Sequence, residues 1–388
     1  MGTPGLPYAC PVTPAELSRT VLRSVRGAVE EQELSVAVPA RIVVQPPPRP
    51  GCGDYASNVA LQLARQAGRP AREVAEILRK RLSGSAGIAR VEIAGPGFLN
   101  FTLGDGAQVA LVREVLARGE SYGGPAAGRS PVTAAPATDS ATDPAAHTAT
   151  APAAGPAADP AAHPTTAPAG DARAVVVAEA LARIDAAAGL GGRRQADERP
   201  VLAPAPYDLA TLVARLGADE ARWVLLRPAA QDPVRVPERP VQRESNPRFR
   251  VQYAYARARA LGRHAWELGF GSEPGDVGAP VRGQAADDDS SDGAGSAAQA
   301  LKSFHTLLAT YPSVVESAAR LRAPDRVVRH LEATADAFFR WHDVYPPLPV
   351  GEQKPLAVHR ARLALAEAGR TVLANGLRLL GISAPEHL

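Results

Sequence analysis

Between Gly123 and Pro206 the chain carries no aromatic residue, and this absence limits what the whole sequence can fold into. The stretch is largely Ala, Pro, Gly, Thr and Asp, and two of its segments, DPAAHTATAPAAG and DPAAHPTTAPAG, are near copies of one another. Such a tract cannot remove enough apolar surface from water to offset the entropy of ordering its backbone, which costs roughly 1–2 kcal/mol per residue. It reads as an expanded, disordered linker over 123–206. ARAVVVAEALARIDAAAG, residues 172–189, is the helical patch inside it. His147 and His163 stand alone in that tract and read as solvated side chains rather than metal ligands.

Composition agrees with a folded region on each side. Of 388 residues, 45% are hydrophobic and 21% charged, as in a soluble protein of two or more domains, while 37 Pro and 34 Gly put much of the length into turns and linkers. The formal charge is +3, and Lys occurs only at Lys80, Lys302 and Lys354, so Arg carries nearly all the positive charge. Guanidinium groups suit bidentate contacts to phosphate and stacking on bases. A GC-rich coding sequence gives the same bias, so the count alone selects neither reading. Cys10 and Cys52 lack metal spacing and are too few for a disulfide framework. No run approaches the roughly 18 apolar residues of a membrane span, and no basic-then-apolar leader opens the sequence, so no membrane partner and a cytoplasmic setting are expected.

Residues 13–119 read as an α+β unit. Thr13, Pro14, Ala15 and Glu16 form a capping box with Pro at the first helical position, and Leu17, Val21, Leu22 and Val25 follow on one face, which predicts a helix over about 14–31. SVAVPARIVVQ alternates and is β-branched, so one or two strands are expected, with Pro39 at an edge or bend. Helices ending near Gly68 and Leu82 come next, then strands Val91–Ala94 and Phe98–Leu103 around a Gly-Pro-Gly turn, then a helix over about 106–118. From Tyr207 the pattern becomes helical, with a long helix opened by Asn246 and Pro247, a second disordered insertion at about 273–296, and helices at 298–310, 312–321, 324–342 and 355–380.

At GDYASNVALQLARQAGRPAREVAEILRKRL and VEIAGPGFLNFTL, within 53–103, the sequence resembles the additional N-terminal domain of arginyl-tRNA synthetase. LVARLGADEARWVLLR, SNPRFRVQYAYARARA and RTVLANGLRLLGISAPEHL resemble the connecting helices and anticodon-binding bundle of the same family. The resemblance implies an α+β N-terminal domain over 1–122 plus an all-α anticodon-binding helical bundle over 207–388, joined by a long disordered linker, 123–206, in the place of the catalytic domain. A class I catalytic site needs a His-x-Gly-His segment for the ATP phosphates and a Lys-Met-Ser-Lys loop to clamp pyrophosphate. Here no two His stand three apart, no Lys lies between 81 and 301, and Met1 is the only Met; GGRRQADE, 191–198, does not restore the loop. No catalytic residue, metal or cofactor is therefore expected, with ATP relevant only to a ligase.

By the same resemblance the N-terminal domain meets the tRNA elbow, with Phe98 to stack on a base and Asn100 to hydrogen-bond one. The competing reading gives Phe98 and Phe101 opposite roles, one in a core and one at the surface. In the bundle, Tyr253 and Arg257 share a helical face, with Tyr255 and Arg259 on the neighbouring one, set to stack on splayed anticodon bases; a structural Tyr at a helix crossing is the alternative. Trp341 and His342 stand where the family usually has Phe-Tyr-Asn, and Leu388 where it ends in Met. The expected function is a non-catalytic tRNA-binding protein, its expected partner arginine tRNA, held by two modules on a tether whose ~80 residues reach roughly 50 Å. The alternatives are an arginine–tRNA ligase whose catalytic part is supplied in trans and a protein-interaction scaffold. A protein partner in tRNA-dependent biosynthesis or aminoacylation fits the first two.

Overall fold

The computed structural model describes residues 13–47, 52–104, 106–124, 171–190, 200–239, 243, 245–279 and 291–386. Helix α1, Pro14–Glu30, starts with the expected box: the Glu16 amide donates to the Thr13 hydroxyl at 3.3 Å and the Thr13 amide to the Glu16 carboxylate at 3.1 Å. Its buried stripe of Leu17, Val21, Val25 and Ala28 packs with α2, Val59–Ala67, and α3, Ala71–Leu82. The sheet is antiparallel, ordered β1-β3-β2, from β1 Tyr55–Ser57, β2 Ile88–Ala94 and β3 Phe98–Leu103. Phe101 pairs with both Tyr55 and Val91 and is fully buried at the centre of this small core. The strands expected in SVAVPARIVVQ do not form. Apart from a bridge between Gln45 and Ala56, its carbonyls are met by serines: Ser18 donates to Ile42, and Ser57 to Val43 at 2.8 Å.

Helix α4, Ala107–Arg118, leaves that core and turns Leu111, Val112 and Val115 into a second, larger one shared with the helical half. That core is built from α5 Asp171–Ala187, α6 Leu209–Leu216, α7 Ala218–Leu226, α8 Pro247–Glu267, α9 Ser291–Leu321, α10 Asp325–Val344 and α11 Ala357–Leu380. Gly376 lets α10 and α11 approach: a Cβ there would fall 2.4 Å from the buried Leu331 side chain.

Three expectations are corrected. Residues 171–190, read as linker, form a packed helix, with Val176, Val177, Ala180, Leu181 and Ile184 buried. Arg173 anchors it: its guanidinium is buried and donates to the carbonyls of Leu225, Ala203, Ala230, Asp232, Pro228 and Ala229 at 2.8–3.2 Å. Residues 200–206, also read as linker, reach the larger core, with Ala205 buried and the Ala203 amide donating to the Ala230 carbonyl at 2.8 Å, while 125–170 and 191–199, GGRRQADE included, lie outside the described residues. The insertion expected at 273–296 shrinks from both ends. Glu273 donates its amide to Arg360 at 3.1 Å, the Arg362 guanidinium holds the Val277 and Ala279 carbonyls, and α9 begins at Ser291. Finally, α9 runs straight through Pro312, where a break was expected.

The N-terminal half packs on the bundle, so the reach of a tether does not set the separation of the two. Lys302 Nζ donates to the Gly53 carbonyl at 2.8 Å and lies 3.0 Å from Asp54, and Asn375 Nδ2 donates to the carbonyls of Gly119 and Tyr122 at 2.9 and 3.0 Å. Among the described residues no helix is long and apolar enough to cross a membrane, and no three His, Cys, Asp or Glu gather as metal ligands.

Candidate nucleic-acid interface

Asn246 accepts from the Arg248 and Phe249 amides at 3.0 and 3.4 Å, and Pro247 follows as the first helical residue, so α8 starts where its sequence says it should. The helix lies beside α10 with the two helices running the same way. Arg250 meets Asp336 at 2.6 Å, Tyr253 stacks on Phe339 at 5.5 Å between centroids, and one turn on Arg257 acts on the charge of His342. Both numbers advance by three or four per pair, which is the signature of parallel helices in register.

The pairing creates a ladder. Phe249, Tyr253 and Phe339 stack in succession, with interplanar angles of 4° and 23°, and the Arg250 guanidinium caps Phe339 at 4.9 Å. All three rings are half-buried, with Tyr253 stacked against both of the others. Arg257 is exposed and, among the described residues, has no ion-pair partner. His342 is half-buried. Burial first, and the Arg257 charge second, hold its imidazole below the usual value against the opposing pull of Asp343, so the ring is neutral at pH 7.

The other expected contacts separate from this face. Tyr255 is 6% exposed and sits in the core, and Arg259 is spent on Glu386 at 2.5 Å. Trp341 is fully buried, stacked on Phe304 at 5.3 Å and tilted against Phe338 at 6.0 Å, which leaves no face for a base. In the N-terminal half Phe98 is 41% exposed and Phe101 fully buried, the split that the pleat demands. Asn100 is 8% exposed, paired in β3 with Ala56 and Glu92, and so is poorly placed to reach a base. Leu388 lies outside the described residues. Sequence reasoning missed Phe249, Arg250 and Phe339. Phe249 stands four before Tyr253 and could have been found by helical spacing; Phe339 is on another helix, and only the packing brings it in.

A row of partly exposed aromatic rings flanked by guanidinium groups has the chemistry on which unstacked bases stack. Residues 19–103 match the arginyl tRNA synthetase N terminal domain, and residues 251–388 the DALR anticodon binding domain. The arginine–tRNA ligase of Frankia alni is 29% identical over 568 aligned positions, covering 97% of this chain and 100% of the relative. With 388 residues to place on 568 positions, at least 180 positions of that alignment have no residue of this chain opposite them. The arginine–tRNA ligase of Paenarthrobacter aurescens is 40% identical over 183 residues, which are 47% of this chain and 30% of the relative. The fold resembles that of the Thermus thermophilus arginyl-tRNA synthetase, with a TM-score of 0.59 at 13% identity, covering 97% of this chain and 100% of that one. The chain belongs to the arginyl-tRNA synthetase family.

Proposed function

We propose that this chain binds tRNA, with arginine tRNA as its preferred partner, and does not by itself activate an amino acid. The observation that carries this reading is the Phe249–Tyr253–Phe339 ladder in and beside α8, of which Tyr253 and Phe339 fall within the segment matching an anticodon-binding domain and Phe249 stands two residues before it. Tyr253, Arg257 and His342 are the bundle's base-reading groups, and Phe98 on the β2–β3 hairpin is the contact of the N-terminal half. Two features support the non-catalytic part: the His-x-Gly-His and Lys-Met-Ser-Lys segments are missing from the sequence, and a large share of a full-length ligase has no counterpart here. Because the two halves are packed together, their RNA contacts are held at a fixed spacing, and binding loses less entropy than it would with independent modules.

The test is binding of the purified protein to arginine tRNA and to an unrelated tRNA side by side, together with arginine-dependent exchange between ATP and pyrophosphate. Preference for arginine tRNA without exchange is the expected result. Exchange activity would restore the ligase reading, and equal or absent binding would sink the tRNA reading and favour the scaffold.

A further inference from the structure

We infer that the cavity at the start of α8 is a second RNA contact, one that grips the sugar-phosphate backbone of the strand whose bases lie on the aromatic ladder. It rests on the tRNA-binding reading above. The cavity has a volume of about 760 Å³ and lies between α7, the extended segment 232–239 and the first turns of α10, with Asn246 and Pro247 at its edge. The segment is built for two faces. Val234 and Val236 pack against the larger core, while Pro233, Arg235, Pro237 and Arg239 line the cavity, the alternation that an extended chain imposes.

Arg227 and Arg329 join Arg235 and Arg239 in the wall, opposed by the carboxylates of Glu220, Asp232 and Glu332. Most of that negative charge is committed: Glu220 accepts from Arg248 at 2.5 Å and from Asn246 at 2.8 Å, and Glu332 from Arg227 at 2.7 Å. Arg329 is paired with Asp325 at 2.9 Å. Arg235 and Arg239 are exposed and, among the described residues, have no ion-pair partner, so two guanidinium forks remain for an incoming anion.

Position selects a nucleic-acid strand over a small anion. The cavity and the ladder are consecutive stations on the same two helices: Pro247 and Glu332 border the cavity, then come Arg250 and Asp336, Tyr253 and Phe339, Arg257 and His342. From Pro247 to Arg257 is roughly 15 Å along α8. A single strand with its bases stacked on the ladder carries its phosphates on toward Arg235 and Arg239.

The experiment is fluorescence anisotropy with labelled arginine tRNA across a salt series, on the wild type, the double variant R235Q/R239Q and Tyr253→Ala, with circular dichroism to verify folding. Both arginines are exposed, so the double variant is expected to fold. Its log K against log[salt] slope should be shallower by about 1.4, from about 0.7 per lost phosphate contact, with affinity down about tenfold at near-physiological salt and equally so for an unrelated tRNA. Tyr253→Ala should weaken binding with the slope unchanged. Wild-type slope and affinity in R235Q/R239Q, alongside weakened binding in Tyr253→Ala, would overturn the cavity's role and leave the ladder standing. No binding by the wild type would overturn both.

Discussion

Tyr122 donates its hydroxyl proton to the carbonyl of Leu308 at 2.9 Å, and that carbonyl is the one Pro312, four residues on, leaves without its helical amide partner. A residue from the end of the N-terminal half thus repairs a defect in the middle of α9. Tyr122→Phe removes the hydroxyl and orphans a buried carbonyl, at a cost of about 1–3 kcal/mol. In a Pro312→Ala background the helix supplies its own amide, and the same substitution should cost little. A double-mutant cycle by urea unfolding measures the difference; equal costs in both backgrounds would refute the repair.

Arg173 is expected to be among the most sensitive positions of the chain. Its guanidinium donates to six carbonyls around the C-terminus of α7. The Ala229 and Ala230 carbonyls also accept from the Asp232 and Ala203 amides, so removing Arg173 takes the hydrogen-bond partner from those of Leu225, Ala203, Pro228 and Asp232. Arg173→Met should destabilise by about 3 kcal/mol or more. Arg173→Lys should recover only part, because an ammonium has three donors and no planar fork. Chemical denaturation of the two variants checks this, and full rescue by Lys would mean that charge rather than geometry matters.

Acid should weaken the bundle through two histidines. His305 and His330 are buried, and burial pushes each imidazole down to about 4 from an ordinary value of 6.5. A depressed histidine is neutral when folded and charges on unfolding, so its stability contribution is full above pH 6.5 and is lost as pH falls toward 4. Each site accounts for about 3 kcal/mol at most over that window. Glu114 and Asp325, raised chiefly by burial, act in the opposite sense and offset part of the loss. Unfolding free energies at pH 7 and pH 5 should show the fall, and His330→Gln should flatten it.

Trp341 and Tyr253 should fail in different ways. Trp341→Ala empties a site in the core and should cost about 3–5 kcal/mol of stability. Tyr253→Ala trims a half-buried ring and should cost about 1–3 kcal/mol of RNA binding, with a smaller change in stability. Thermal melts and binding titrations on both variants separate the roles. A folded Trp341→Ala protein with weakened RNA binding would return Trp341 to the interface.

The parts of the fold that could be read from sequence were those written in local chemistry. Thr13, Pro14 and Glu16, and Asn246 with Pro247, fix helix starts within three residues, and the pleat alone separates Phe98 from Phe101. The parts that escaped depend on distant partners. Pro312 reads as a break because its remedy is Tyr122, far away in the chain. Helix α5 is too uniformly Ala and Val to show one apolar face, and its Arg173 looks like a surface residue until six carbonyls surround it. For the candidate site, helical spacing gave Tyr253 and Arg257 but could not tell the open side of α8 from the side that buries Tyr255, and it had no means of bringing Phe339 from α10 to complete the ladder.

Helix α4 has a consequence for how the protein is made. The small core closes with residues up to Phe101, but the apolar stripe of α4 belongs to a core that also needs Val372 and Leu373 of α11. At about 5–20 residues per second of synthesis, that stripe emerges from the ribosome roughly 15–50 s before its partner does. During that interval a folded N-terminal unit carries an uncovered apolar helix, so the nascent chain passes through a stage in which chaperone capture competes with self-association.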